Sequence, residues 1–159
     1  MAPVIRVLGL GNDLLADDAF GVEMARELAR RLPPDIETRW SVASGIALLD
    51  EMLEADALIV IDTIATGQVP AGTVHRFAEE QVEVTGQAAS GHYMGLFETL
   101  RLGRQLQFRV PERVVIVAVE AEDTTTVGGG MSAAVRAAKP IVKRLVEDQI
   151  AEWCGSTDL

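Results

Sequence analysis

Residues 4–32, VIRVLGLGNDLLADDAFGVEMARELARRL, decide the fold. Val4 to Leu8 is an almost continuous apolar run rich in Val and Ile, the pattern of a strand covered on both faces as in a helix-flanked parallel sheet. Gly9 and Gly11 then mark a tight turn. Beyond it, Phe20, Met24, Leu28 and Leu32 recur every fourth residue, with Glu23, Arg26, Glu27 and Arg30 off that stripe. The spacing predicts an amphipathic helix over about residues 18–32, ended by Pro33 and Pro34. Strand, glycine turn and helix in this order form one βα unit.

The same grammar recurs along the chain. Ala57 to Ile61 and Val114 to Val119 are further unalternating apolar runs, and Ile36 to Val42 alternates weakly as a strand. Ser44 stands where it could cap a short helix carrying Ile46, Leu49 and Leu53. Thr66, Gly67, Pro70 and Gly72 signal a loop before a short edge strand over Thr73 to Phe77. The polar stretch Glu79 to Gly91 has no clear period and reads as a loop, leading into a helix over Tyr93 to Leu102 that ends at Gly103. Ala134, Ala138, Ile141 and Leu145 mark a last helix over Met131 to Ile150, which Pro140 should kink or restart. The expected architecture is α/β: one domain over residues 1–150, an open, mostly parallel twisted sheet of about five strands with helices on both faces. Residues 151–159 should form a frayed tail.

Composition limits the function classes. In 159 residues, 48% hydrophobic and 24% charged content describes a globular chain and excludes wholesale disorder. The balance of 14 Lys plus Arg against 24 Asp plus Glu, net −10, opposes a broad nucleic-acid surface by long-range repulsion. Cys154, the single cysteine, cannot close an intramolecular disulfide, no leader-like segment precedes the first strand, and no apolar run approaches the roughly 20 residues a spanning helix needs. The expectation is a soluble protein of the reducing cytoplasm, with neither a nucleic acid nor a membrane as partner.

In open α/β sheets ligands lie beyond the carboxyl ends of the strands. The first predicted strand leads to Gly9, Gly11, Asp17 and Asp18, the third to Asp62 and the last to Glu120. A dinucleotide reading of Gly9-Leu10-Gly11-Asn12-Asp13-Leu14 is weak: Leu14 replaces the third glycine, and Asp13, Asp17 and Asp18 would repel a pyrophosphate. Two carboxylates and the imidazole of His92, in a Gly-flanked loop before a helix, form a donor set that could hold a divalent ion with positions left open. Glu120 is either a third acid on this edge or a strand-end residue, and His75 reads as a surface residue. Gly128 to Gly130 reads as a flexible lead-in capped by Ser132 rather than an anion cradle, and Cys154 as an incidental thiol. Neither a G-x-S-x-G elbow nor an H-E-x-x-H motif is present.

GLGNDLLADDAFGVEMARELARRL, ALIVIDTI and GHYMGL, taken together and in this order, resemble the hydrogenase maturation endopeptidases, which trim the C-terminus of the nickel-iron hydrogenase large subunit. The resemblance implies a helix-flanked α/β sheet and a substrate whose nickel is the recognition element. It also implies metal ligands at the second acid of the first motif, the acid ending the third strand and the His of H-x-x-G-L: Asp18, Asp62 and His92, which double as the catalytic candidates. Nickel would come mainly with the precursor and would either polarise the scissile carbonyl, position an attacking water, or only license docking while another carboxylate such as Asp17 assists proton transfer. Ala19 stands where the family commonly has glycine, and Trp40 to Gly45 departs from its Gly- and Thr-rich loop except at Gly45. The rival expectation is a metal-responsive protein that binds the precursor without cutting it.

Overall fold

The computed structural model describes residues 2–79 and 91–155, the side chains of residues 91–94 excepted. In chain order the elements are β1 (Ile5–Leu10), a 3-10 turn (Ala16–Ala19), α1 (Phe20–Ala29), β2 (Glu37–Ser41), a second 3-10 turn (Gly45–Ala47) and α2 (Leu48–Met52). β3 (Ala57–Ile64), β4 (Val74–Ala78), α3 (Gly91–Gln105), β5 (Arg113–Glu120), α4 (Ala133–Ala137) and α5 (Lys139–Gly155) follow. The sheet runs β2-β1-β3-β5-β4, parallel throughout except for the antiparallel edge pair β4–β5. It is the expected open sheet of five strands.

Side-chain alternation along the central strands divides the core into two layers. Ile5 and Val7 of β1, Ala57, Ile59 and Ile61 of β3, and Val115, Val117 and Val119 of β5 meet α1 and α5 on one face. Leu8, Leu58, Val60, Val114 and Ile116 meet α2 and α3 on the other. Asp62, in phase with Leu58 and Val60, therefore emerges on the α3 side.

One crossing decides where α1 lies. A Cβ on Gly9 would stand 2.0 Å from the Gly21 carbonyl oxygen; one on Gly21 would stand 2.2 Å from the Leu10 oxygen and 2.4 Å from the Ile61 oxygen. The first turn of α1 thus rests directly on the backbone ends of β1 and β3, an approach open only to glycine. The two glycines of the first motif serve helix–strand contact and, at Gly11 (φ 140°), a backbone conformation that other residues avoid.

The structure departs from the periodicity in several places. Residues 16–19 form a 3-10 turn instead of the start of α1, with Ala16 at φ 38°. Ser44 makes no side-chain cap, whereas the Ser132 hydroxyl accepts from Val135 N–H. The last helix is interrupted at Ala138, and Pro140 occupies the first turn of α5, where its missing N–H would have had no partner. The tail expected to fray from Ala151 is helical to Gly155: Trp153 is buried against the α5 side of the core, with the Arg113 guanidinium 5.4 Å above its ring. Residues 156–159 lie outside the described residues, as do residues 80–90 of the expected polar loop. Arg6, within the first apolar run, is 1% exposed, donating from Nη1 to the carbonyls of Glu51 and Leu53 at the end of α2 and from Nε to Glu37. No helix among the described residues is long and apolar enough to cross a membrane.

Gly21→Ala should destabilise the chain by about 3 kcal/mol, because the obstructing atoms are backbone and cannot rotate away. Thermal unfolding should show this as a fall of roughly 6–12 °C. An unchanged melting temperature would mean that α1 can lift from the sheet without loss.

Candidate active-site pocket

Beyond the carboxyl ends of β1 and β3 opens a pocket of about 290 Å³, lined by Asn12, Asp18, Val42 to Gly45, Asp62 and, from α3, Gly95 and Leu96 among others. Each wall comes from a different element. The 3-10 turn presents Asp18, β3 presents Asp62, the segment after β2 forms one side and the first turns of α3 close another. Asp62 is 3% exposed and its Oδ1 accepts the Thr63 N–H at 2.7 Å. Asp18 is half-buried; its Oδ2 accepts the Asn12 N–H at 3.0 Å and its Oδ1 lies 3.5 Å from the Thr63 hydroxyl. No Lys or Arg lines the pocket among the described residues.

Two of the three expected ligands are therefore brought together. His92 is the second residue of α3, not part of a preceding loop, and stands one turn before Gly95 and Leu96; its side chain lies outside the described residues. Among the described residues no group of three His, Cys, Asp or Glu side chains is placed to hold a metal. The donor set offered by the pocket wall is two hard carboxylate oxygens, which suit a divalent cation and oppose a phosphate. That chemistry agrees with the backbone explanation of Gly9 and Gly11 and leaves the dinucleotide reading without support.

Asp17 does not share the pocket. Its side chain is fully buried and points the other way, with Oδ1 accepting Ser132 N–H at 2.7 Å and Oδ2 accepting Glu122 N–H (2.9 Å), Asp123 N–H (3.0 Å) and the Ser132 hydroxyl (3.0 Å). Burial alone would raise its pKa, but the backbone donors at Asp123, Ser132 and Glu122, with the Ser132 hydroxyl, outweigh it and hold the carboxyl below the usual range. A carboxylate so occupied is a structural anion, not the proton carrier expected of it. Glu120 is likewise absent from the pocket lining and is 2% exposed. It accepts from the Thr66 hydroxyl and from Thr66 and Gly67 N–H at 2.8 Å, closing the loop after β3. His75 is no plain surface residue: its ring stacks on Phe77 and its Nε2 lies 3.5 Å from Glu120. For Glu120, too, burial raises the pKa, and the Thr66 and Gly67 donors, with the nearby His75 ring, bring it below the ordinary value.

Asn12 and Thr63 are the site residues that sequence reasoning missed. Asn12 carried a signal, since its Oδ1 accepts Leu14 N–H at 3.0 Å in the local turn that Asn favours. Thr63 carried none.

A hydrogenase maturation protease family profile matches residues 22–149. The chain belongs to the hydrogenase maturation protease family. It is 31% identical over 133 residues to the hydrogenase expression/formation protein HupD of Thiocapsa roseopersicina, covering 81% of this chain and 59% of that protein. The corresponding HoxM protein of Azotobacter vinelandii is 30% identical over 155 residues, covering 95% of this chain and 74% of that one. The structure of the hydrogenase maturating endopeptidase HybD from E. coli superposes with a TM-score of 0.75 at 30% identity, covering 94% and 93% of the two chains. Family membership makes this protease a hydrolase of the endopeptidase class.

Asp17 and Glu120 have folded pKa values below their unfolded ones, so both contribute stability that is complete above the unfolded range near about pH 4–4.5 and is lost as pH falls through the lower folded values. Denaturant unfolding of the Glu120→Gln protease should show a shallower loss of stability between about pH 6 and pH 3 than the parent. Parallel curves would show that the charge of Glu120 contributes nothing to the fold.

Proposed function

We propose that this protease removes the C-terminal extension of a [NiFe] hydrogenase large-subunit precursor in the cytoplasm, and that it recognises the precursor by its nickel through Asp18, Asp62 and His92. The observation that carries the reading is that Asp18 and Asp62, 44 residues apart in sequence and on different elements, line one pocket. Relatives named for hydrogenase expression and formation, and a structural neighbour named as a hydrogenase maturating endopeptidase, support the substrate class.

Carboxylate oxygens alone bind nickel less well than a site that also has thiolates, so a precursor arriving with nickel on its own ligands supplies what this pocket lacks. Bound there, nickel would act as a Lewis acid on the scissile carbonyl or on an attacking water. The chain's own residues perform the rest. The Asn12 N–H and the Thr63 N–H each hold one carboxylate in place, which limits the reorganisation needed when the cation arrives. Leu10, Leu48 and Leu96, all buried, give the pocket its apolar lining, which lowers the local dielectric around the charges and strengthens their attraction for a cation. Cys154, exposed and without a disulfide, lies on α5 and is not among the pocket residues.

Mass measurement of nickel-loaded and nickel-free precursor incubated with the protease tests this directly. Only the loaded form should lose a C-terminal peptide. Asp18→Ala, Asp62→Ala and His92→Ala should each slow processing by about 100-fold or more, since loss of a ligand exceeds the 10–100-fold cost typical of changes around ligands. Cys154→Ser should process at the parent rate. Equal cleavage of both precursor forms, or normal cleavage by Asp62→Ala, would overturn nickel recognition; intact precursor in every mixture would favour a protein that binds without cutting.

A further inference from the structure

Two adjacent acids in the turn Ala16–Ala19 have opposite surroundings. Asp18 faces the pocket, while Asp17 accepts four donors from the segment that follows β5. No other side chain of the turn, apart from Asp18, makes a hydrogen bond. Its N-cap, Leu15, offers no side-chain hydrogen bond, and its other two residues are alanines. Ala16 is also in the left-handed region at φ 38°, a conformation that persists only where surrounding structure over-determines it. Grip on this turn comes from the segment after β5: Asp17 N–H donates to Asp123 O at 2.8 Å, Gly128 N–H donates to Leu14 O at 2.9 Å, and Leu15 forms an isolated antiparallel bridge with Val127.

The geometry points to Asp17 as a positioning residue: by clamping the 3-10 turn to residues 122–132, its carboxylate sets the direction of Asp18 into the pocket. Successive side chains on a 3-10 turn are about 120° apart, so anchoring one fixes the rotation of the next. Asp17 needs no contact with substrate to do this. The consequence for nickel rests on the pocket reading proposed above; the consequence for Asp18 does not.

Asp17→Asn keeps the size of the side chain but turns one of its two acceptors into a donor facing N–H groups, so the grip on Ser132 or on Glu122 and Asp123 is lost. Two measurements on the intact protease report the effect. The first is the amide NMR signal of Asn12, whose N–H is bonded to Asp18 and not to Asp17. The second is calorimetric titration with nickel(II) alone. Asp56→Asn is the control: Asp56 also accepts a backbone N–H, from Val4 at 2.7 Å, and an Arg109 guanidinium at 2.8 Å, but stands just before β3, at the opposite end of the sheet from the pocket. Asp17→Asn should shift the Asn12 amide and weaken nickel by about tenfold or more, while Asp56→Asn lowers the melting temperature and leaves both unchanged.

If Asp17→Asn behaves as Asp56→Asn in both measurements, Asp17 is merely structural and the proposal is overturned. Should the parent bind no nickel and cut loaded and bare precursor alike, the pocket reading fails, yet the Asn12 amide still decides whether Asp17 positions Asp18. If Asp17→Asn does not fold, Ser132→Ala removes only the hydroxyl donor. A smaller change in the same direction supports the clamp, and an unmoved Asn12 signal overturns it.

Discussion

The contact of bare backbone with bare backbone at Gly9 and Gly21 is the constraint on which the rest of the structure depends. It lets α1 begin directly over the ends of β1 and β3, with the carbonyls of Leu10 and Ile61 where a side chain would otherwise stand. Because the helix starts so close, the chain between Leu10 and Phe20 must reverse in a few residues. It does so by Gly11 at φ 140°, an Asn12 turn and the 3-10 turn with Ala16 at positive φ. Asp18 reaches the pocket because this reversal is tight; a looser connection would carry it away from Asp62.

The acids divide into two groups by what surrounds them. Asp17 and Glu120 are buried and heavily hydrogen-bonded, each closing a loop at the carboxyl edge of the sheet, and their ionised state is held by N–H and O–H donors. The described wall of the pocket around Asp18 and Asp62 contains two carboxylates and no Lys or Arg. A pair of carboxylates at one cavity lowers the free energy of a bound cation.

At the other end of the sheet the same chain uses charge for structure. Arg6 reaches carbonyls at the end of α2 from inside the first apolar run, and Asp56 ties Val4 to Arg109. These contacts gather the amino ends of the strands, while the carboxyl ends are left to loops and the pocket. The division follows the polarity of a parallel sheet, whose strands all start at one edge and finish at the other.

The sequence alone determined the layers. Runs such as Ala57 to Ile61 and Val114 to Val119 are apolar at every position, which only a strand covered on both sides can accommodate, and the fourfold spacing from Phe20 to Leu32 has one helical solution. It also gathered Asp18 and Asp62 on the carboxyl edge of the sheet, although β3 runs two residues past Asp62 and Asp18 lies in the turn beyond β1. Which of two neighbouring acids faces the cavity was decided only in three dimensions: Asp17 and Asp18 have the same chemistry, and their roles diverge through partners more than 100 residues away at Glu122 to Ser132. The partnership of His75 with Glu120, the failure of Ser44 to cap and the ordering of residues 151–155 around Trp153 were likewise beyond local reading. Periodicity reports whether a side chain leaves water, since that depends on spacing along one element; what it meets there depends on elements that arrive from elsewhere in the chain.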